Sequence, residues 1–118
     1  MMPRDMDLIR ELMLRLQHGD QSLPAGRTQK EVAYHIDMLI QDGFLKGVIS
    51  RKLEKGTKVP DFFHVQDITW KGHDFIKSVE DDTFWQRAKD HFKKHAVAWT
   101  ADLILEFAKA GGRKALGL

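Results

Sequence analysis

Basic side chains grouped near the middle of the sequence are the residues best suited to binding chemistry. Between positions 46 and 58 there are five basic residues against one acidic residue, Glu54, so the local charge is +4. Lysine and arginine bind the phosphate groups of nucleic acids, although lysine-rich turns also occur for solubility alone. The segment therefore predicts phosphate contact, with a merely solvated turn as the alternative. The five basic residues are Lys46, Arg51, Lys52, Lys55 and Lys58.

A polar helix face just upstream could read the edges of DNA bases. In the segment 28–45, apolar residues recur at helical spacing, and polar residues fall on the opposite side. Glutamine suits adenine and lysine suits guanine in the major groove, so Gln29, Lys30 and Tyr34 are the candidate base-contacting residues. Asp37 on the same face would repel phosphates, and any surface helix exposes residues of this kind. Base reading and a simple solvated face are therefore both open. The predicted outward face comprises Thr28, Gln29, Lys30, Ala33, Tyr34, Asp37 and Gln41.

Other chemistries have weaker support. His91 and His95 are four residues apart on a predicted helix and could share a metal ion with His73 and Asp74. Phe92 between them is typical of a core, however, and the His-Glu-x-x-His form is absent. The chain has no cysteine, its serines lack the glycine elbow of a nucleophile, and no glycine-rich phosphate loop occurs. The sequence therefore predicts a protein that is not an enzyme, without a metal site or a cofactor.

The helix that carries the polar face begins at Thr28. Thr28 and Glu31 have the spacing of a capping box, in which both side chains satisfy backbone N–H groups at a helix start. The helix should end at Gly43, because glycine takes the left-handed conformation without steric strain. A helix followed by a glycine and the strand start Phe44-Leu45 is typical of winged-helix domains, where the recognition helix enters the wing. The predicted buried stripe is Val32, Ile36, Leu39 and Ile40.

The basic segment itself is predicted to form the β-hairpin of a wing. Residues 44–52 are rich in β-branched side chains, and residues 61–68 alternate apolar with polar residues, which indicates two strands. Residues 53–60 contain a glycine and a proline and are predicted to be the turn. Phe63 and Val65 should face inward. The hairpin would then place its basic residues on a projecting element.

An amphipathic helix from about Asp5 to His18 precedes these elements, with Asp5 as its cap. Residues 19–27 follow as a loop punctuated by Pro24 and Gly26. A full helix-turn-helix needs a further helix at this place, and the loop leaves almost no room for one. We therefore expect either a single helical turn here or a reduced winged-helix fold.

Three helices are predicted after the hairpin. Thr69 should cap the first, and Gly72 should let that helix approach the sheet closely. A capping box at Thr83 should start the second, which runs to about His95, and residues 100–110 should form the third. The tryptophans of these helices are predicted to share an aromatic core. They are Trp70, Trp85 and Trp99.

The C-terminal helices carry two further surfaces. Basic residues between positions 87 and 94 are predicted to be a solvated helix face. Apolar residues near the C-terminus could form a homodimer contact through the terminal helices, or they could only close the core. These residues are Leu103, Phe107 and Leu116.

The size and composition of the chain predict one small domain. At 118 residues the chain is long enough for one modest core. The predicted class is α+β and mostly helical, with a winged-helix-like core at 1–79 and a C-terminal helical extension at 80–118 packed on the same domain. No apolar run approaches the ~20 residues that cross a bilayer, and no signal peptide is evident, so we expect a cytoplasmic protein without a membrane contact.

Several blocks of the sequence resemble a known family. They are PRDMDLIRELML, YHIDMLIQDGFL, ITWKGHDFIKSVEDDTFWQRAK and a closing WT-x-D-L-I with a terminal ALGL. In this combination the chain resembles, over nearly its whole length, the domain-of-unknown-function family numbered 2513, which is found in bacteria and their phages. The resemblance implies a small cytoplasmic, winged-helix-like protein without an assigned activity, and it transfers no site residue.

Two hypotheses about function remain. The first is a DNA-binding transcriptional regulator of a phage or mobile element, with Lys30, Tyr34 and the basic wing at the double-stranded DNA. The second is a protein–protein interaction module, such as an accessory factor acting on a host protein, with no DNA binding. The wing charge favours the first hypothesis. The net charge of only +2 and the missing helix favour the second.

Overall fold

In the described residues, two helices precede a long β-hairpin along the chain and three helices follow it. The computed structural model describes residues 4–94 and 100–109. Over these residues the predicted class, α+β and mostly helical with a winged-helix-like order, is confirmed. The elements are α1 (Met6–Gln17), α2 (Gln29–Gln41), β1 (Leu45–Glu54), β2 (Thr57–Ile68), α3 (Trp70–Val79), α4 (Asp82–Lys94) and α5 (Ala101–Phe107).

The helix starts follow the capping residues in the sequence. The Asp5 carboxylate accepts the Leu8 N–H, and the hydroxyls of Thr28, Thr69 and Thr100 each accept the N–H three residues on. The predicted caps at Asp5, Thr28 and Thr69 are therefore confirmed. The predicted cap at Thr83 is wrong. Asp81 caps α4 instead by accepting the Phe84 N–H at 2.8 Å, because its carboxylate comes two residues earlier.

The core lies where α1, α2 and α3 meet the base of the hairpin. Phe44 and Phe75 are fully buried there, with their ring centroids 5.5 Å apart. Gly72 in α3 makes this packing possible, because a Cβ at Gly72 would overlap the Phe44 carbonyl oxygen and lie 2.7 Å from the Ile68 side chain. The predicted close approach of α3 to the sheet is therefore confirmed.

The hairpin is longer and its turn tighter than the sequence suggested. β1 and β2 pair antiparallel from Leu45 opposite Ile68 to Glu54 opposite Thr57. The turn is the pair Lys55-Gly56, with φ angles of 50° and 81°, as a type I′ hairpin turn requires. The predicted turn over 53–60 is wrong, because the proline in it is tolerated within β2 beside an irregularity of the register.

The connection between α1 and α2 contains no helix. A hydrogen bond from the Arg27 N–H to the Pro24 carbonyl closes a turn there, so the reduced fold is the alternative that the structure supports. The Gln21 side chain forms hydrogen bonds with the backbone of β2, as a neighbouring strand would. Its amide nitrogen donates to the Val65 carbonyl and its oxygen accepts the Val65 N–H, both at 2.9 Å. One glutamine thereby covers part of the outer edge of β2.

The C-terminal helices pack on the rest of the chain through both polar and apolar side chains. The Trp85 indole N–H donates to Asp7 at 2.9 Å, and Arg10 pairs with Asp82 at 2.7 Å. Residues from both the predicted core at 1–79 and the predicted extension at 80–118 contribute to one apolar cluster. Leu103 and Phe107 pack against this cluster, which supports the core-closing alternative for them, while Leu116 lies outside the described residues.

The tryptophans do not share one aromatic core. Trp85 is buried as predicted, and Trp99 lies outside the described residues. The inward prediction for Trp70 is wrong, because its side chain is 88% exposed. Trp70 is the first residue of α3, where the helix has not yet reached the core, and its ring lies beside that of His73.

A polar cluster ties the start of α1 to α2. Arg27 bonds both Asp5 and Glu31, and the buried His35 accepts the Asp5 N–H on Nε2 while its Nδ1 donates to the Glu31 carbonyl. Burial alone would raise the pKa of Asp5, but the Leu8 N–H and the Arg27 guanidinium outweigh it and lower the pKa. The capping-box carboxylate of Glu31 is thus used by Arg27 rather than by the Thr28 N–H.

The lowered pKa of Asp5 predicts a loss of stability in acid. A carboxyl group with a depressed pKa in the folded state stabilises the fold above its unfolded pKa, about 3.9, and this contribution disappears as pH falls through the lower folded value. We expect the free energy of unfolding of the wild type to exceed that of Asp5→Asn at pH 6, with the difference shrinking below about pH 4. Asparagine also caps helices, so the variant isolates the charge.

Urea unfolding of both proteins between pH 2 and pH 6 checks this expectation. A difference that stays constant across the range would contradict it.

Candidate nucleic-acid interface

The hairpin packs against α2 on the side where the base-reading face was predicted. The Gln29 side-chain amide donates to the Asp61 carbonyl at 3.1 Å, and the Lys30 ammonium pairs with Glu54. Tyr34 is partly buried, with its ring edge-to-face against His35 at 5.4 Å. Each of the three candidate base-contacting residues therefore contacts another residue of the chain, through a hydrogen bond, an ion pair or a ring contact.

An ion pair between the solvent-exposed Arg51 and the buried Asp37 lies in the middle of this contact. The Arg51 guanidinium donates to both carboxylate oxygens of Asp37, at 2.8 and 3.1 Å, and Gln41 donates to the same carboxylate. Asp37 is 8% exposed and Ala33 is fully buried, so their predicted outward positions are wrong. The fork of an arginine satisfies a carboxylate with two hydrogen bonds, which makes burial of Asp37 tolerable.

The packing leaves no fully exposed face on α2 between Gln29 and Ile40. Every residue from Gln29 to Ile40 is buried or partly buried. A recognition helix enters the major groove with a row of exposed side chains, and α2 offers no such row in this arrangement.

Arg51 is accordingly expected to stabilise the fold. Replacing Arg51 by alanine would leave the Asp37 carboxylate buried without its main partner, and we expect a loss of about 2 kcal/mol in the free energy of unfolding. The double variant Arg51→Ala/Asp37→Ala removes both charges and should recover part of that loss. Urea unfolding of the two single variants and the double variant gives the coupling. A single variant within about 0.5 kcal/mol of the wild type would contradict this role.

Three lysines of the hairpin remain available for an anion. Lys46, Lys55 and Lys58 are exposed, and their side chains make no ion pair or hydrogen bond with any residue in the described ranges. Lys52 has a loose contact of 3.7 Å with Asp61 and is also exposed. Of the five basic residues in the segment, four therefore present their charge to solvent.

The electrostatics at the end of the hairpin are positive. The hydrogen bond from Lys30 lowers the pKa of Glu54, and the nearby charges of Lys52 and Lys55 add to the effect. The carboxylate of Glu54 is thus held by Lys30, and the lysines at this end outnumber the carboxylates of Glu54 and Asp61. An approaching phosphate would therefore meet a net positive charge.

The outer face of the hairpin carries apolar side chains that the sequence analysis did not single out. Phe62 is 62% exposed and Val48 is 55% exposed, on the face turned away from α2. The adjacent pair Phe62-Phe63 in the sequence could have indicated this exposed side chain. Successive residues of a strand point to opposite faces, so only one of the two phenylalanines can reach the core. Phe63 is the partly buried one.

Other site chemistry has no support within the described residues. There, no three His, Asp or Glu side chains come close enough together to hold a metal ion. His91 packs against Phe107, with ring centroids 4.8 Å apart, and His95 lies outside the described residues. In the part of the chain that the structure describes, no helix is long and apolar enough to cross a membrane.

Together these features are consistent with a reduced winged-helix-like arrangement. A first helix leads through a helix-free loop to α2, and Gly43 leads α2 into a basic hairpin that folds back on it. The chain belongs to the family described as "Hypothetical protein (DUF2513)", whose model matches residues 3–98, so the predicted family is confirmed. It is similar to an uncharacterized protein of Haemophilus influenzae, with 26% identity over 115 residues that cover 92% of this chain and 93% of the relative. No solved structure matches the chain.

Proposed function

We propose that this protein binds double-stranded DNA through its phosphate groups, with the hairpin as the contacting element. The observation that carries the proposal is the set of exposed lysines at positions 46, 52, 55 and 58, of which three have no ion pair within the described residues. Phosphate contacts of this kind supply most of the affinity of sequence-independent DNA binding.

The hairpin has the reach that such a contact needs. Its ten-residue strand β1 is about 33 Å long, whereas the thirteen-residue helix α2 is about 20 Å long. Lys30 at the start of α2 pairs with Glu54, so the helix supports the hairpin up to the residue before the turn, where Lys55 and Lys58 lie. A cationic ribbon of this length can lie along the backbone of a duplex.

The proposal leaves base reading by α2 out, because Gln29, Lys30 and Tyr34 are engaged within the chain. Phosphate contacts position a protein on DNA but do not specify a sequence. We infer a binding protein without catalytic activity, acting in the cytoplasm. Regulation of transcription in a phage or mobile element stays a prediction within this proposal.

The proposal is tested by fluorescence anisotropy of a labelled generic duplex titrated with the full chain at low and near-physiological salt. We expect weak binding whose logarithm falls with the logarithm of salt concentration at a slope of about −3, since each phosphate contact contributes about −0.9. The absence of binding at low salt would contradict the proposal.

A second candidate function is a protein-binding module without DNA binding. The specific observation in its favour is that large apolar side chains are exposed to solvent. Trp70 at the start of α3 is 88% exposed, and Leu53 in β1 is 71% exposed. Affinity capture with the wild type and with Trp70→Ala tests this candidate. It requires a host protein whose capture depends on Trp70, and capture that Trp70→Ala leaves unchanged would count against it. A homodimer through α5 is not part of either proposal, because Leu103 and Phe107 pack inward.

A further inference from the structure

We propose that the outer face of the hairpin binds single-stranded nucleic acid by stacking unpaired bases on Phe62 and His64. This inference rests on the proposed function and names a second form of nucleic acid for the same element. It uses the one broad apolar surface of the hairpin that nothing else in the described residues covers.

The face is built by the alternation of the two strands. On β1 it consists of Lys46, Val48, Ser50 and Lys52, the exposed alternate residues of that strand. On β2, Phe62 lies opposite Ser50 and His64 lies opposite Val48. Phe62 and His64 are thus two residues apart on the same face, which places their rings about 6.7 Å apart along the strand.

The rings have the exposure and spacing that stacking requires. Phe62 is 62% exposed and His64 is exposed beside it, so the ring faces are open to solvent. Val48 and Ser50 opposite them are small and leave the platform flat. Two rings at alternate positions of a strand can each receive one base of an extended single strand, as aromatic residues do on other sheet surfaces.

The charge of the face favours a polyanion entering from the turn. Lys52 pairs with Val59, two residue pairs closer to the turn than Phe62, and Lys55 and Lys58 lie closer to the turn still. At the opposite end, Lys46 faces Asp67 across the sheet, so the positive charge is concentrated at the turn. A strand whose phosphates contact the turn lysines therefore has its bases over Phe62 and then His64.

A duplex cannot use these rings, because its bases are stacked on one another and their faces are covered. A single strand can use both the lysines and the rings. The wild type should consequently bind an unpaired oligonucleotide more tightly than a duplex of the same length. The added contribution comes from stacking, so it should persist at salt concentrations that suppress the phosphate contacts.

Anisotropy titrations of labelled oligo(dT) and oligo(rU), each of about ten nucleotides, test the inference beside a duplex of the same length. We expect Phe62→Ala to weaken binding of the single strands by roughly tenfold at every salt concentration, with little change in the salt slope or in duplex affinity. Phe62→Tyr retains a stacking ring and should bind as the wild type does. Trp70→Ala removes an exposed aromatic ring from α3, outside this face, and is the matched control.

Circular dichroism of each variant before titration shows that the fold is retained. Tighter binding of either oligonucleotide that depends on Phe62 supports the inference, and a preference between dT and rU identifies the source. Duplex binding that persists while single strands bind no more tightly and Phe62→Ala has no effect overturns this inference alone. Failure of all three nucleic acids overturns the proposed function as well.

Discussion

Replacement of Gly72 by alanine is expected to lower the free energy of unfolding by about 3 kcal/mol, the upper range for a group forced into a packed core. The added methyl group would overlap the Phe44 carbonyl oxygen, which belongs to the backbone just before β1, and would press on the Ile68 side chain at the end of β2. The helix α3 must then move away from the base of the hairpin. That shift loosens the contact between Phe44 and Phe75.

The direction of the effect makes this a sharp test. Gly72 lies inside a helix with an ordinary backbone conformation, where alanine by itself is favoured over glycine by up to about 1 kcal/mol. If α3 did not approach the sheet this closely, the same substitution would raise stability. Gly26→Ala is a suitable control, because its φ of +79° is strained for alanine but open space surrounds it, so we expect a smaller loss of about 1 kcal/mol.

Thermal and urea unfolding of the wild type, Gly72→Ala and Gly26→Ala measure these differences. For a chain of this length we expect the melting temperature of Gly72→Ala to fall by roughly 10 °C. An unchanged or raised melting temperature for Gly72→Ala would contradict the packing described for α3.

The parts of the fold that depend on neighbouring residues could be predicted from the sequence. Helix caps at Thr28 and Thr69 are local, because a hydroxyl reaches the N–H three residues on whatever the rest of the chain does. Gly72 was recognisable as a point of close approach because a glycine early in a helix has few other uses. The fold class followed from such local signals, whereas the family followed from the resemblance of longer blocks of the sequence.

The covering of α2 by the hairpin could not be predicted in the same way. Helical periodicity identifies one buried stripe but does not tell which polar residues a second element will cover. Asp37 has the polarity of a surface residue and is buried because Arg51, fourteen residues later, brings a guanidinium to it. Because an aspartate is normally a surface residue, the predicted base-reading face included Asp37.

Two further errors have equally specific causes. Pro60 suggested the end of a turn, but a register shift in the hairpin lets β2 continue through it. Trp70 has the spacing of the inward stripe of α3, yet it stands at the helix start, beyond the edge of the core. In each case a tertiary feature decided the outcome where the local pattern was ambiguous.

The second large effect is expected from the hairpin lysines. Changing Lys46, Lys55 and Lys58 together to glutamine removes the three free charges on the hairpin and takes the formal net charge from +2 to −1. We expect duplex affinity to fall at least a hundredfold and the salt slope to lose about three units, one for each phosphate contact. Arg51 is left intact because its pairing with Asp37 supports the fold.

A control variant separates location from total charge. Lys77, Lys93 and Lys94 are exposed on α3 and α4, and their side chains make no ion pair or hydrogen bond with any residue of the described part of the chain. Changing these three to glutamine gives the same net charge of −1 with the hairpin untouched. Because phosphate contacts act only at the contacting surface, this variant should retain most of the duplex affinity.

The central claim is that this protein holds DNA by the phosphate backbone with its hairpin. The most direct test is the salt dependence of duplex binding, measured by anisotropy for the wild type, the hairpin triple variant and the control triple variant. We expect the wild type and the control to share a slope near −3, while the hairpin variant binds weakly with a slope near zero. Equal losses in the two variants, or no duplex binding by the wild type at low salt, would contradict the claim.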